Sequence, residues 1–359
     1  MKRPPISTQF SRFTDKVAQK PPASLQKSKL ERSKNMKYLT TRTTRLLLEG
    51  VLITALACVT QSGRIYGQLL SAADDDGRTN QGPPLSIAFH SNSVGNTEVY
   101  VMNPDGTDQT RLTFDPRTDQ QPDISPDGRQ IVFCSTRIAD TNPEGDFEVF
   151  VMDADGSNAR QLTFNGANIS DAWPRWSPNG KQIVFHSNVD GNFEIYIINA
   201  DGTDLNRVTE YSGVDQFPEW SPNGKQLAIR RDTDIYLINT DGTDPVQLTN
   251  NATIDQMASW SPNGKQIAFM SSRDGYCSVY VMSSDGSDQT NLTPKPDGVP
   301  ANQFCSRAPA WARNGQQIYF SSFRPETNLF ENIFVMNSAG GDVTRLTFDN
   351  STVSVAAVR

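Results

Sequence analysis

The stretch Trp176-Ser-Pro-Asn-Gly-Lys-Gln-Ile-Val-Phe-His-Ser187 decides the fold, because versions of it recur along the chain. It continues through Asp190-Gly-Asn-Phe-Glu-Ile-Tyr196, Asn199-Ala-Asp-Gly-Thr-Asp204 and Arg207-Val-Thr209. Asn-Gly and Asp-Gly supply the positive φ that tight hairpin turns require. The β-rich runs between these turns predict a meander of four strands, A to D, with the tryptophan on strand A.

This meander repeats six times from residue 85 onward. Ser-Pro-Asn/Asp-Gly begins at Ser125, Ser177, Ser221 and Ser261, and a degraded fifth version begins at Ala312. The second turn contributes Gly106, Gly156, Gly202, Gly242, Gly286 and, in an altered copy, Gly340. One such sheet cannot bury both of its faces, whereas six sheets around an axis bury all but their rims. The sequence therefore predicts an all-β, six-bladed propeller over residues 85–359.

The end of the chain supplies the strand that the first repeat lacks. The first copy begins at strand B, near residues 85–89, with no strand A before it. Residues 346–359 align without gaps on residues 248–261, which places Val358 where Trp260 stands. We therefore expect the C-terminal strand to close the ring as strand A of blade 1, which removes the open sheet edges.

The segment before the repeats has a different composition. Residues 1–58 contain 12 Lys/Arg and 3 Asp/Glu, whereas the remainder contains 21 and 37. Residues 1–35 have no apolar period and are predicted to be disordered, or to precede a true start at Met36. Residues 36–59 have the charged lead, apolar run and Ala55-Leu-Ala57 cleavage pattern of a signal peptide, and residues 60–84 are predicted to be a linker. Export to the periplasm or beyond is expected, with lipid attachment at Cys58 as the alternative.

Charge and motifs exclude several classes of function. The acidic repeats would repel phosphate backbones, so nucleic acid is not an expected partner. The sequence contains neither a CxxC pair nor an HExxH motif, so no zinc site is predicted. The apolar run before residue 60 is too short to span a bilayer, and no transmembrane segment is expected.

The repeat resembles that of the TolB-like propellers. Asp215-Gln-Phe-Pro-Glu-Trp-Ser-Pro-Asn-Gly-Lys225 is similar to their WD-like pattern Asp-x-x-Pro-x-Trp-Ser-Pro-Asp/Asn-Gly-Lys, in register over residues 85–359. The resemblance implies a six-bladed propeller. TolB itself binds partner proteins of the cell envelope and also has an N-terminal α/β domain, for which about 25 linker residues leave no room. Similar propellers precede the hydrolase domain of prolyl-oligopeptidase-type enzymes, but a Gly-x-Ser-x-Gly elbow is missing, so that activity is not expected.

The start of strand A is the predicted binding region. B–C hairpins and D–A connections share one rim, and strand A lines the channel. Four blades carry an aspartate where strand A meets this rim: Asp119, Asp171, Asp215 and Asp255. A carboxylate ring there would bind calcium or a basic segment of a partner. The alternative is that each aspartate bonds its own loop.

Large side chains lie in the same connections. Trp173, Phe217 and Met257, with Arg307 in blade 6, predict an apolar patch suited to a peptide or a sugar. Packing between blades is the alternative interpretation. His90 and His186 occupy one repeat position, which Cys134 shares in another blade, and interblade packing is expected there rather than a metal site.

Cys277 and Cys305 fall on the same rim in adjacent blades and are the disulfide candidates for an oxidising compartment. The leading functional hypothesis is a monomeric, exported, non-enzymatic scaffold of the bacterial cell envelope that binds a protein, small molecule or carbohydrate at the acidic rim. The alternative is a channel-mouth enzyme, a lyase or glycoside-active hydrolase, that uses paired carboxylates. No catalytic residue is predicted.

Overall fold

The computed structural model describes residues 86–137, 145–348 and 352–358, together with two short strands nearer the N-terminus. These strands are β1 (Leu47–Leu48) and β2 (Val51–Leu52), which pair antiparallel. The chain divides into two compact units, Met1–Ser71 and Ala72–Arg359. The predicted disordered segment, cleavage site, lipid site and linker lie outside the described residues. Where the chain is described, no helix combines the length and hydropathy that crossing a membrane requires.

The second unit contains six antiparallel four-stranded sheets, so the predicted six-bladed propeller is confirmed. Blade 1 contributes β3 (Ile87–Ser91), β4 (Glu98–Met102) and β5 (Thr110–Arg111); blade 2 has β6 (Asp119–Ile124), β7 (Gln130–Ser135), β8 (Glu148–Asp153) and β9 (Arg160–Gln161); blade 3 has β10 (Asp171–Trp176), β11 (Gln182–Ser187), β12 (Glu194–Asn199) and β13 (Asn206–Arg207). Blade 4 has β14 (Asp215–Trp220), β15 (Gln226–Arg231), β16 (Asp234–Asn239) and β17 (Val246–Gln247); blade 5 has β18 (Asp255–Trp260), β19 (Gln266–Ser271), β20 (Ser278–Ser283) and β21 (Thr290–Asn291); blade 6 has β22 (Cys305–Trp311), β23 (Gln317–Phe323), β24 (Asn332–Asn337) and β25 (Thr344–Arg345).

The last strand, β26 (Val353–Val358), completes blade 1. It pairs antiparallel with β3, with Val353 opposite Ser91 and Val358 opposite Ile87. The predicted closure of the ring by the C-terminal strand is therefore confirmed. Two single-turn 3-10 helices, Ala301–Gln303 and Pro325–Thr327, interrupt the loops of blades 5 and 6.

The hydrophobic core is divided into six clusters that lie between or within neighbouring blades. In one cluster, Val149 and Leu162 of blade 2 pack against Trp176 and Phe185 of blade 3. Blade faces are covered on both sides by this arrangement, so the strands are apolar at consecutive positions instead of alternating with polar ones. Burial between blades is thus what holds the ring together.

The recurrent Asp-Gly turn between strands C and D has two structural reasons. Gly156 has φ of 87°, in the left-handed region that favours glycine. A Cβ atom at Gly156 would also lie 2.7 Å from the carbonyl oxygen of Leu112 in the preceding blade. The glycine therefore serves the turn and also permits close approach of two blades.

A buried threonine fastens each two-residue strand D. In blade 3, Thr209 Oγ1 accepts a hydrogen bond from the Ile195 amide at 2.9 Å and donates to Glu194 Oε2 at 2.5 Å. The same threonine–amide bond occurs in all six blades, at Thr113, Thr163, Thr209, Thr249, Thr293 and Thr347. The repeated Leu/Val-Thr phrase of the sequence thus anchors the outer strand.

Candidate functional site at the channel mouth

Each inner strand of blades 2 to 6 contains a bulge two or three residues from its start. The register breaks there, and a residue other than glycine adopts a left-handed backbone. These residues are Gln121 (φ 55°), Trp173 (57°), Phe217 (52°), Met257 (57°) and Ala308 (49°). Large side chains avoid this region of φ, and such strain is concentrated at functional sites.

Side chains of the preceding blade hold these bulges in place. The Gln121 amide donates to His90 Nδ1 at 3.3 Å, and the Phe217 amide donates to His186 Nδ1 at 3.3 Å. The Trp173 amide donates to Gln121 Oε1 at 2.9 Å, and Cys134 Sγ contacts the same oxygen at 3.2 Å. The shared repeat position of the histidines and Cys134 therefore serves contacts between blades, as the sequence predicted.

Both histidines are neutral acceptors. Burial lowers the pKa of His186 to about 3, with further contributions from Arg230 and Arg175. Burial likewise lowers the pKa of His90 to about 4, assisted by Arg307 and Arg175. A neutral imidazole keeps Nδ1 free to accept the amide hydrogen, so the bulges of blades 2 and 4 stay fixed at physiological pH.

Trp173, Phe217, Met257, Arg175 and Glu219 form what we call the mouth cluster. The rings of Trp173 and Phe217 meet edge to face, 4.9 Å between centroids. The Arg175 guanidinium lies 4.8 Å from the Trp173 ring, and its Nε is 3.1 Å from Glu219 Oε2. One side of the mouth is therefore aromatic and contains a paired cation and anion.

A cavity of about 80 Å³ lies beside this cluster, over the inner strands of blades 5, 6 and 1. Trp173, Arg175, Glu219 and Met257 line it, together with Trp260 and Trp311. Small residues, Ala308 and Val355, occupy the positions of blades 6 and 1 that correspond to Trp173. The mouth is consequently asymmetric, with bulky groups on blades 3 to 5 and open space on the opposite side.

The four predicted aspartates do not form an open acidic ring. All four side chains are buried, and none lines the cavity. Arg137, Arg231 and Arg273 donate to Asp119, Asp215 and Asp255 at 2.7, 2.7 and 2.8 Å. Asp171 accepts from Asn165 Nδ2 at 2.6 Å instead. These carboxylates therefore bond groups of their own blade or of the connection that enters it, as in the alternative interpretation.

Burial raises the pKa of Asp119, Asp171 and Asp215, against the hydrogen bonds that favour the charged form. In the described part of the chain, no three acidic, histidine or cysteine side chains lie close enough to hold a metal ion. Arginine side chains already bind three of the four aspartates, so these carboxylates are not arranged as a ring that could bind calcium.

Arg307 lies one residue away from the position expected from the repeat. Ala308 has the left-handed backbone, whereas Arg307 pairs across the sheet with Ser321. The Arg307 guanidinium binds both carboxylate oxygens of Glu331, at 2.8 and 2.6 Å. Its place in the apolar patch is therefore taken by a small residue, and Arg307 instead neutralises a nearly buried glutamate.

Cys277 and Cys305 are brought together as predicted for a disulfide pair, but as free thiols. They occupy opposite positions of an isolated parallel bridge between blades 5 and 6.

Sequence reasoning missed Arg175 and Glu219. Both occupy the fifth position of strand A, next to the tryptophan, where the remaining described blades have Asp123, Ser259 and Ala310. A comparison of the repeats for positions that vary among blades would have found this position. Such positions face the channel, where packing between blades does not determine which side chain is present.

Comparison with known proteins connects this geometry to a family. Residues 213–304, which span blades 4 and 5, match the family model of the TolB beta propeller domain. Blades 4 and 5 are TolB-like. The resemblance inferred from the repeat is thereby confirmed. No curated protein matches the chain.

Solved structures confirm the TolB-like fold over the whole ring. A structure assigned to TolB from Agrobacterium tumefaciens has a TM-score of 0.58 and 18% identity, over 76% of this chain and 91% of that one. TolB from Acinetobacter baumannii has a TM-score of 0.60 and 19% identity, over 77% of this chain and 65% of that one. Hydrazine synthase from Kuenenia stuttgartiensis reaches a TM-score of 0.60 at 15% identity, over 77% of this chain and 47% of that one. These likenesses show the fold, and a fold of this kind serves unrelated functions.

Proposed function

We propose that this protein is an exported binding module of the bacterial cell envelope whose mouth cluster recognises an extended segment of a partner protein. The TolB-like repeats support an interaction scaffold, and the signal-peptide pattern of residues 36–59 supports export. The proposed site differs from the acidic rim expected from sequence, because the aspartates are buried whereas the aromatic residues border a cavity.

The observation that carries the proposal is the strained backbone under large apolar residues. A left-handed conformation costs a residue other than glycine about 1–3 kcal/mol, and glycine would remove that cost. Trp173, Phe217 and Met257 instead present large, half-buried side chains at the mouth. The amides of Trp173 and Phe217 donate to acceptors of the preceding blade, so these two bulges are fixed and little ordering would remain for the moment of binding.

The charges of the site favour a peptide over a highly charged ligand. Arg175 is buried and paired with Glu219, whose side chain remains 23% exposed. Neighbouring positive and negative groups complement the amide dipoles and mixed side chains of a polypeptide. Aromatic side chains and arginine are also the residues that most often dominate the energy of protein interfaces.

Capture from bacterial envelope extract tests the proposal. The double variant Trp173→Ala/Met257→Ala removes two of the large side chains that line the cavity and should reduce the amount of captured partner about tenfold or more. Quantitative mass spectrometry of proteins retained by the wild type and by the variant provides the measurement.

Phe164→Ala is the matched control. Phe164 is 60% exposed, lies three residues beyond the outer strand of blade 2 and does not line the cavity, so its removal should leave capture unchanged. Equal melting temperatures of the variants would show that folding is intact. Unchanged capture by the double variant, or loss with Phe164→Ala alone, would contradict a site at the mouth.

A further inference from the structure

We propose that Cys277 and Cys305 form a dithiol–disulfide site that joins blades 5 and 6, and that Cys277 is the sulfur that exchanges with an external disulfide. This inference is independent of the mouth cluster and of its ligand. It rests on the placement of the two thiols, on their unequal exposure and on the groups around them.

The backbone brings the two residues to disulfide distance. They face each other in a parallel bridge, and the Ser306 amide donates to the Cys277 carbonyl at 2.9 Å. Strands paired in this way lie about 4.7–4.9 Å apart, within the Cα separations of about 4.4–6.8 Å that disulfides span. Both thiols are free and the bridge sets them opposite each other, so a disulfide between them keeps the existing pairing of the strands.

The aromatic residues that precede the cysteines keep this pair in register. The rings of Tyr276 and Phe304 pack edge to face, 5.8 Å between centroids. Lys295 lies over the Tyr276 ring, and Arg324 lies over the Phe304 ring. These packed side chains therefore hold blades 5 and 6 together next to the bridge.

The two sulfurs have different environments. Cys277 is half-buried, whereas Cys305 is only 4% exposed. The adjacent Cys305 thiol and the charge of Arg307 lower the pKa of the Cys277 thiol. The adjacent Cys277 thiol and burial raise the pKa of the Cys305 thiol. The accessible sulfur is thus also the one that forms the nucleophilic thiolate.

The chemistry requires a low-molecular-weight or protein disulfide as oxidant. The Cys277 thiolate attacks one sulfur of that disulfide, the external S–S bond breaks, and one thiol leaves with a proton. Cys305 then loses its proton and attacks the Cys277 sulfur, which releases the second external thiol. The protein loses two hydrogen atoms with two electrons, and the external disulfide becomes two thiols.

Oxidised glutathione and the full chain provide the test. The wild type should lose the mass of two hydrogen atoms and yield a peptide that links Cys277 to Cys305. Cys305→Ser should accumulate one glutathione on Cys277, because the resolving sulfur is absent. Cys277→Ser should leave Cys305 unmodified. Peptide mass spectrometry assigns each adduct.

Cys134 is the internal control, since it is fully buried, its pKa is raised to about 12, and its sulfur contacts Gln121. Its modification would reveal unfolding of a variant. The wild-type measurement needs no variant, and wild-type thiols that survive oxidised glutathione would overturn the proposal. Glutathione on Cys305 in preference to Cys277 would overturn the assigned roles. The oxidised wild type should also melt several degrees above the reduced protein, a difference absent in Cys277→Ser.

Discussion

Glu148 is a buried carboxyl group whose blade lacks the arginine that its equivalents use. In blades 1 and 3, Arg111 and Arg207 pair with Glu98 and Glu194 at 2.6 and 3.1 Å. Blade 2 has Gln161 at the arginine position, and its side chain donates to the Thr163 carbonyl. Where the chain is described, no cation is paired with Glu148. Burial, together with the nearby Asp171, raises the pKa of Glu148 to about 7.

The raised pKa makes the stability of the fold depend on pH. A carboxyl whose pKa is higher in the folded state stabilises the fold when protonated. This contribution is complete below the ordinary value of 4.5 and is lost as pH rises through 7. At about 1.4 kcal/mol per pKa unit, the free energy of unfolding should fall by roughly 3 kcal/mol from this group. Glu148→Gln should therefore remove part of the wild-type pH dependence and be the more stable protein at pH 8, as measured by urea unfolding.

Gln161→Arg is the converse variant. It restores the cation seen in blades 1 and 3, so it should lower the pKa of Glu148 and stabilise the protein at pH 8, with little effect at pH 5. Parallel curves of stability against pH for the wild type and Glu148→Gln would show that Glu148 does not titrate in this interval.

At the scale of the element, strand D depends on its threonine because only two of its residues join the ladder. Thr209→Val would leave the Ile195 amide without its acceptor and should cost about 2 kcal/mol. Thr209→Ser keeps the hydroxyl and should cost about 1 kcal/mol, for one buried methyl group. Urea unfolding measures both, and hydrogen exchange at the Ile195 amide reports the bond itself. A serine variant less stable than the valine variant would contradict this role of the hydroxyl.

The strands could be predicted because the residues of each turn recur in the repeat. The hydrogen-bond partners of the aspartates could not be predicted in this way. The pattern Asp-x-x-Pro-x-Trp places a carboxyl group at the start of strand A. The arginine that binds this group comes from the end of strand B or from the residues that follow it. Arg137 and Arg273 stand two residues beyond strand B, and Arg231 ends it. The aspartate and the arginine meet because of the register between strands A and B, which pairs Asp215 with Arg231 in blade 4. Sequence therefore placed the aspartates at the start of strand A but did not show that they are buried and bonded to other groups of the protein.

At the scale of the whole molecule, the ring depends on β26. Val353, Val355 and Val358 are all buried, and their removal should cost roughly 5 kcal/mol in addition to exposing the edge of β3. A chain that lacks residues 350–359 should consequently melt more than ten degrees lower by calorimetry. A chain that begins at Ala72, the start of the propeller unit, should retain the wild-type transition. An unchanged transition in the C-terminal truncation would refute closure by this strand.

The symmetry of the ring and the asymmetry of its mouth have separate origins. Turn glycines, threonine anchors and interblade apolar clusters recur because every blade must pack against its neighbours. The bulge residue of strand A instead varies around the axis, from Trp173 to Ala308, while its left-handed backbone is retained. In the proposed function, a few channel positions would supply specificity on a scaffold that stays constant.

Closure by the final strand also determines when the ring of blades can be completed. Residues 353–358 are the last of the described chain to leave a ribosome, or to emerge from a secretion pore entered from the N-terminal side, yet they pair with Ile87–Ser91. Until they arrive, blade 1 has three strands and the ring stays open. The ring can therefore close only after the C-terminal strand has been synthesised and is free to pair with β3.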